Sequence, residues 1–421
     1  MKRISLSFMA VLFTSALMAP AALSAYPGYG KRVDASLSSS CRTCHVVYPK
    51  LRLYGKTIRE IGYNVPLGEF DDPVLTKIYR NLPLAIRGKI DILDPGQAAP
   101  VSVNELQILS GGNAFNNRFS WWFHKHIMEG NEFVKLSSGT PHEAWMQYNG
   151  SKALHIRAGM FELPMWFSWS KTKVSELGYL YYTSTTNADN FGVIAAPQFG
   201  IQINGAFSLA SGDEDDWGEP DDASMQGYNY ALSITNGETS FAGKVNTFFG
   251  RITRKQPESA IGLFALAAVQ DIAPAADHMH GGGDMADPAR ELIYKLGLDG
   301  ELYLRGDDAT VYGSAAYGSD VARNFLGGFI GYDRLMLPKL FLFARLDAVF
   351  FSPEEHVDEM DGMDHDADAA HVHGTVIADD ASAVFLGAAY MLMGNIRLSA
   401  EYRYGINGID HQGLMQLQFA F

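Results

Sequence analysis

From Leu84 to the C-terminus the chain alternates apolar and polar residues with a period of two, the pattern of strands that show one face to a nonpolar medium and the other to water. The alternation is plain in LAIRGKIDIL (84–93), NRFSWWFHKHIM (117–128), ALHIRAGMF (153–161), GIQINGAFSL (200–209), ELYLRG (301–306), LFLFARLDAVFF (340–351), RLSAEYRYG (397–405) and the last eight residues, LMQLQFAF, which close on Phe421. Turn signals between these segments fill out about sixteen strands, an even number that returns the chain to the side it entered. The expected fold is mainly β: a barrel of about 16 strands over residues 83–421, preceded by a small, mostly α or irregular unit over 26–82 that is rich in proline and lacks alternation. A soluble β-sandwich shares the strand pattern but not the features that follow.

The links are asymmetric. Short ones at GGN (111–113), NGSK (149–152), GDD (306–308), PK (338–339) and GN (394–395) fall on one face. Long ones at 162–196, 273–289 and 352–380 fall on the other, as periplasmic turns and outer loops do in bacterial barrels. The acidic stretch SGDEDDWGEPDD (211–222) lands on the short-link face, either as an exception or because the count slips by one strand there.

The N-terminus adds an export context. Lys2 and Arg3 precede an apolar run through Met18, and Ala22, Ser24 and Ala25 offer a cleavage site, so residues 1–25 read as a signal peptide. As a membrane anchor the run is short. No other segment reaches a spanning apolar helix, so membrane residence would be as a barrel in the bacterial outer membrane, in contact with its lipid. Gly 42, Tyr 20, Phe 25 and only 19% charged residues suit such strands, and a net charge of −14 argues against nucleic acid as a partner.

The candidate chemistry lies in CRTCH, where Cys41 and Cys44 are the only cysteines. In C-x-x-C-H the two thiols can add to the vinyl groups of one haem c while the adjacent imidazole, His45, ligates the iron. The alternatives are a CxxC disulfide or half a zinc site, but no further cysteine completes a zinc tetrad.

At CRTCHVVYPKLRLYGKTIREIGYN (41–64), continued by NLPLAIRGKI (81–90), EAWMQYNG (143–150) and LHIRAGMFELP (154–164), the chain resembles the fused monohaem cytochrome c–porins that include outer-membrane iron oxidases. The Ser-rich run RVDASLSSS before the haem segment departs from that pattern. The resemblance implies a haem unit on the periplasmic side or within the lumen, Fe(II) outside as donor, and a periplasmic c-type cytochrome or other soluble carrier as acceptor.

Between His45 and Phe123 there is no Met, His or Cys, so the small unit has no ordinary sixth ligand of its own. The position is open, holds water or Lys, or is filled from the barrel. By alternation His155 and Arg157 point inward while Leu154, Ile156, Ala158 and Met160 face out; likewise His124, His126 and Met128 point inward while Phe119, Trp121, Phe123 and Ile127 face out. His124, His126, Met128 and His155 are therefore candidate distal ligands. Two outer loops, DHMHGGGDMAD (277–287) and EEHVDEMDGMDHDADAAHVHG (354–374), place His278, His280, His365, His371 and His373 among carboxylates. Imidazole and carboxylate at that spacing suit divalent first-row metals; a plain solvated acidic surface is the other reading. Two functions compete: electron entry from Fe(II), and a metal-binding or uptake porin with a structural or sensory haem. Haem-based peroxide chemistry is a third.

Overall fold

The computed structural model describes residues 45–47, 50–51, 55–56, 84–93, 101–115, 118–129, 132–133, 142–167, 175–184, 197–207, 227–237, 245–272, 289–304, 308–319, 323–352, 380–393, 396–407 and 410–420. Cys41, Cys44, residues 1–25 read as a signal peptide, and the histidine-bearing stretches 277–287 and 354–374 lie outside this set.

Sixteen long antiparallel strands close into one barrel. They are β1 (Leu84–Leu93), β2 (Ser102–Ala114), β3 (Phe119–Glu129), β4 (Glu143–Ser151), β5 (Leu154–Glu162), β6 (Pro197–Phe207), β7 (Gly227–Thr235) and β8 (Thr247–Gln256). The second half is β9 (Ser259–Ile272), β10 (Ala289–Leu304), β11 (Ala309–Ser319), β12 (Asn324–Leu337), β13 (Leu340–Phe351), β14 (Ala381–Met393), β15 (Ile396–Asn407) and β16 (Gln412–Ala420). β16 pairs with β1 to complete the ring, and a two-residue stub, Glu132–Phe133, pairs with the end of β3. Upstream, His45–Val47 and Lys50–Leu51 form a short antiparallel ladder.

Period-two burial explains the closure. Along β9 and β10, Ile261, Leu263, Leu296 and Leu298 are exposed on the outside while Phe264, Lys295, Asp299 and Glu301 are buried inside. Exposed Ile201, Ile234, Ile330 and Leu386 continue the outer apolar surface around the ring. A continuous apolar exterior of this extent is made for lipid, and closure leaves no unpaired strand edge in it.

Three expectations change. Gly111–Asn113 is not a turn: it lies within β2, and the turn falls at 115–118, where Arg118 N donates to Phe115 O at 3.2 Å. Gly111 serves packing, since a Cβ there would stand 2.7 Å from Trp122 Cε3. Met160 does not face outward but is buried, because the alternation breaks at Gly159, whose φ of 128° is a left-handed conformation that other residues avoid. The link 162–196 does not lie wholly outside. Its described parts, 163–167 and 175–184 with the short helix α1 (Leu180–Ser184), are folded inward among the wall residues.

That inward fold is a plug. Leu163, Met165, Trp166, Phe167, Leu177, Tyr179, Leu180, Tyr181 and Tyr182 are buried against Phe249, Phe264, Phe325, Phe329 and Phe385 of the wall. Tyr179 stacks on Phe329 at 4.2 Å, and Phe167 meets the same ring edge-on at 5.3 Å. Wall charges latch the backbone. Glu401 accepts from Ser175 Oγ (2.8 Å) and from the N–H groups of Glu176 (2.9 and 3.0 Å) and Leu177 (3.3 Å). Asp347 accepts from Leu180 N at 2.9 Å, and Arg345 donates to the carbonyls of Leu177 and Gly178 at 3.0 and 2.7 Å. The residues that flank the acidic link 208–226, Phe207 and Gly227, lie at the short-turn end: the neighbouring Tyr230 hydroxyl donates to Ala153 O at 2.7 Å. The strand count therefore does not slip there.

Candidate functional site

Two separate constellations line the lumen. The first is a cavity open to solvent, bordered by Lys56, His155, Arg157, Trp166, Asn204 and Arg251 among others. His155 and Arg157 reach it because β5 alternates as expected, with Leu154 and Ile156 exposed outside. His155 Nδ1 lies 3.0 Å from the side-chain oxygen of Asn149, which places the ring proton on Nδ1 and makes Nε2 the lone-pair nitrogen. Arg157 Nε donates to Gln147 Oε1 at 3.0 Å, and its guanidinium lies 4.2 Å over Trp145. Arg251 holds Asp299 with two bonds of 2.6 Å.

Lys56 is the unexpected member, for it precedes the first barrel strand by 28 residues in the sequence. Its ammonium lies 2.5 Å from Glu301 of β10 and 4.6 Å over the Trp166 ring, and the residue is almost wholly buried. A buried ammonium demands such partners, and they hold the Lys56 side chain in the lumen.

The second constellation is on β3 and β4. His124 is directly opposite Glu143 in the ladder, and His142 precedes Glu143 at the start of β4. The rings of His124 and His142 are 4.7 Å apart, and His126 stacks parallel to His142 at 5.2 Å. His126 Nε2 is 2.9 Å from the Gln107 amide nitrogen. Glu143 is fixed by Trp122, whose indole N–H donates to Oε2 at 3.0 Å, and by the Glu162 N–H, 3.5 Å from Oε1.

Of the four barrel residues read as candidate distal ligands, His124 and His126 thus sit together, and His155 stands in the other cavity. Met128 is buried, but a register shift between Leu106 and Gln107 pairs it with Leu106, out of step with His126. His278, His280, His365, His371 and His373 lie outside the described residues, and nothing of the His45 side chain is described. Sequence reasoning missed His142, Glu143 and Lys56. A signal for the first two existed in the adjacent His-Glu pair ahead of an alternating run, though only the β3–β4 register brings them to His124.

No protein-family model matches the chain, and no curated protein matches it in sequence. Solved structures do. OmpF of Salmonella typhi in complex with daunomycin superposes with a TM-score of 0.52 at 11% identity, covering 81% of this chain and 97% of that one. The loop L8 deletion mutant of OmpT, an outer-membrane protein of Vibrio cholerae, gives 0.50 at 10% identity, covering 80% and 97%. The fold is that of a porin-like barrel. At these identities the likeness reaches the architecture alone, which is that of bacterial outer-membrane channels.

Proposed function

We propose that this porin-like barrel is an outer-membrane electron-entry protein: extracellular Fe(II) gives up one electron, and a periplasmic c-type cytochrome or other soluble carrier receives it. The observation that carries this reading is Lys56, eleven residues beyond His45 and buried in the lumen cavity beside His155. A residue close in sequence to CxxCH inside the barrel supports a haem carried there.

The cavity lining carries groups that a haem would use: Arg157 offers positive charge for propionates, Trp166 a flat apolar wall and His155 an imidazole. Cys41 and Cys44 would hold the group through thioethers, and His45 would ligate its iron; when bound it supplies one-electron redox chemistry. Among the candidate distal ligands, the cavity favours His155 over His124, His126 and Met128.

The rest of the work belongs to the chain. The plug sets aromatic and aliphatic side chains inside the lumen, which narrows the path for solutes and supports a protein that moves electrons. Lys56 with Glu301, and Arg251 with Asp299, fix the cavity wall against movement. Keeping the donor outside leaves insoluble ferric product outside as well.

The channel-like fold supports a second reading, a metal-uptake porin with a structural or sensory haem. Proteoliposomes loaded with a soluble c-type cytochrome separate the two. External Fe(II) should reduce the entrapped carrier through the wild-type protein and not through C41S/C44S; equal reduction by both, with steady ionic conductance, would favour uptake.

A further inference from the structure

The histidine group on β3 and β4 has no part in the cavity that holds Lys56, yet its chemistry is too concentrated for a lumen wall that merely contacts water. One ligand atom each from His124, His142 and Glu143 lies within 4.8 Å of the others. His124 is only 1% exposed, and among the described residues neither of its ring nitrogens has a hydrogen-bond partner; Glu143 Oε2 stands 3.9 Å from Nδ1. A buried imidazole in that condition loses its hydration without a protein bond to replace it, which calls for a water or an ion at its nitrogen.

We propose that His124, His142 and Glu143 bind one first-row divalent transition-metal ion in the barrel wall. Two imidazoles and a carboxylate form a donor set for Zn(II), Fe(II) and their neighbours and a poor one for Mg(II) or Ca(II), which take all-oxygen sites. Atoms bound to one ion at about 2.1 Å are at most about 4.2 Å apart. His142, half-buried at the start of β4, is the ligand whose rotation closes the set. Trp122 and the Glu162 N–H orient the carboxylate from behind, the role that outer hydrogen bonds play in metal sites. His126, stacked on His142, is placed to replace a ligand during exchange. Three protein ligands leave at least one position to water or an incoming ligand. The proposal stands apart from the haem reading.

The test uses the full-length protein as purified in detergent, with the six histidines at 278, 280, 356, 365, 371 and 373 changed to Ala so that they take no metal. Zn(II) is titrated against a chromophoric chelator. One tight equivalent is expected, lost in H124A and in E143Q and weakened about 10- to 100-fold in W122F. An unchanged tight equivalent in both H124A and E143Q, or none in the parent, overturns the proposal. Should those variants fail the heat-modifiable gel shift of a folded barrel, Zn-edge X-ray absorption of the parent at one equivalent decides. Scattering from two imidazoles supports the site, and its absence overturns it.

Discussion

Replacing Glu401 with Ala would test whether the plug is latched by wall charges or held by packing alone. The carboxylate takes hydrogen bonds from Ser175 Oγ, Glu176 N and Leu177 N at 2.8 to 3.3 Å, in a place where water does not compete. Bonds to a charged group contribute about 1.5–3 kcal/mol each, and their loss strands the Glu176 and Leu177 N–H groups, while Ser175 Oγ keeps Leu177 O as an acceptor at 2.9 Å. Against this, Glu401 no longer has to be desolvated near the like-charged Glu176. A net cost of roughly 3 kcal/mol at residues 175–177 follows, about a 150-fold shift toward local opening. The nine buried apolar residues of the plug outweigh that, since each contributes about 1.5–3 kcal/mol. The loop should therefore loosen at its latch and stay in the barrel. In planar bilayers E401A should flicker between the wild-type level and a higher conductance, and added protease should cut near Ser175; E401Q, which keeps one acceptor oxygen, should fall between. Wild-type conductance and protease resistance in E401A would refute the latch.

Several other outcomes are expected. C41S/C44S should insert as a folded barrel yet carry no covalent haem on a denaturing gel stained for peroxidase activity. H155A should change the oxidised-haem spectrum while H124A and H126A leave it alone; the reverse would move the distal ligand to β3. Gly159→Val, which sets a Cβ against the Ala144 carbonyl at a φ of 128°, should lower the temperature of the folded-to-unfolded gel shift by several degrees. Deleting residues 354–374 should lower the loading of external Zn(II) without loss of haem, and unchanged loading would make that loop a solvated surface only.

The barrel was legible because lipid on one side and water on the other force a period of two, and LAIRGKIDIL and LFLFARLDAVFF became β1 and β13 with the bounds read from the sequence. Composition misled at Gly111–Asn113, where small residues signal a turn but in fact make room for Trp122. The plug was illegible for a different reason. LPMWF (163–167) and LGYLYYT (177–183) are apolar without period, and no local rule says that a link returns to the lumen it has just left. For the sites, His155 and Arg157 were found by alternation alone, whereas the His124–His142–Glu143 group depends on a cross-strand register that a single sequence does not carry. Lys56 offered even less. One lysine among four in a proline-rich stretch looks like surface, and Glu301 and Trp166 reveal it as a buried contact.

The central claim is tested most directly by the visible spectrum of the purified, oxidised protein in detergent while Fe(II) is added without oxygen. Electron entry predicts that the sharp bands of reduced haem c appear promptly on Fe(II) addition. A haem that dithionite reduces but Fe(II) leaves oxidised, or a protein with no covalent haem at all, would contradict it.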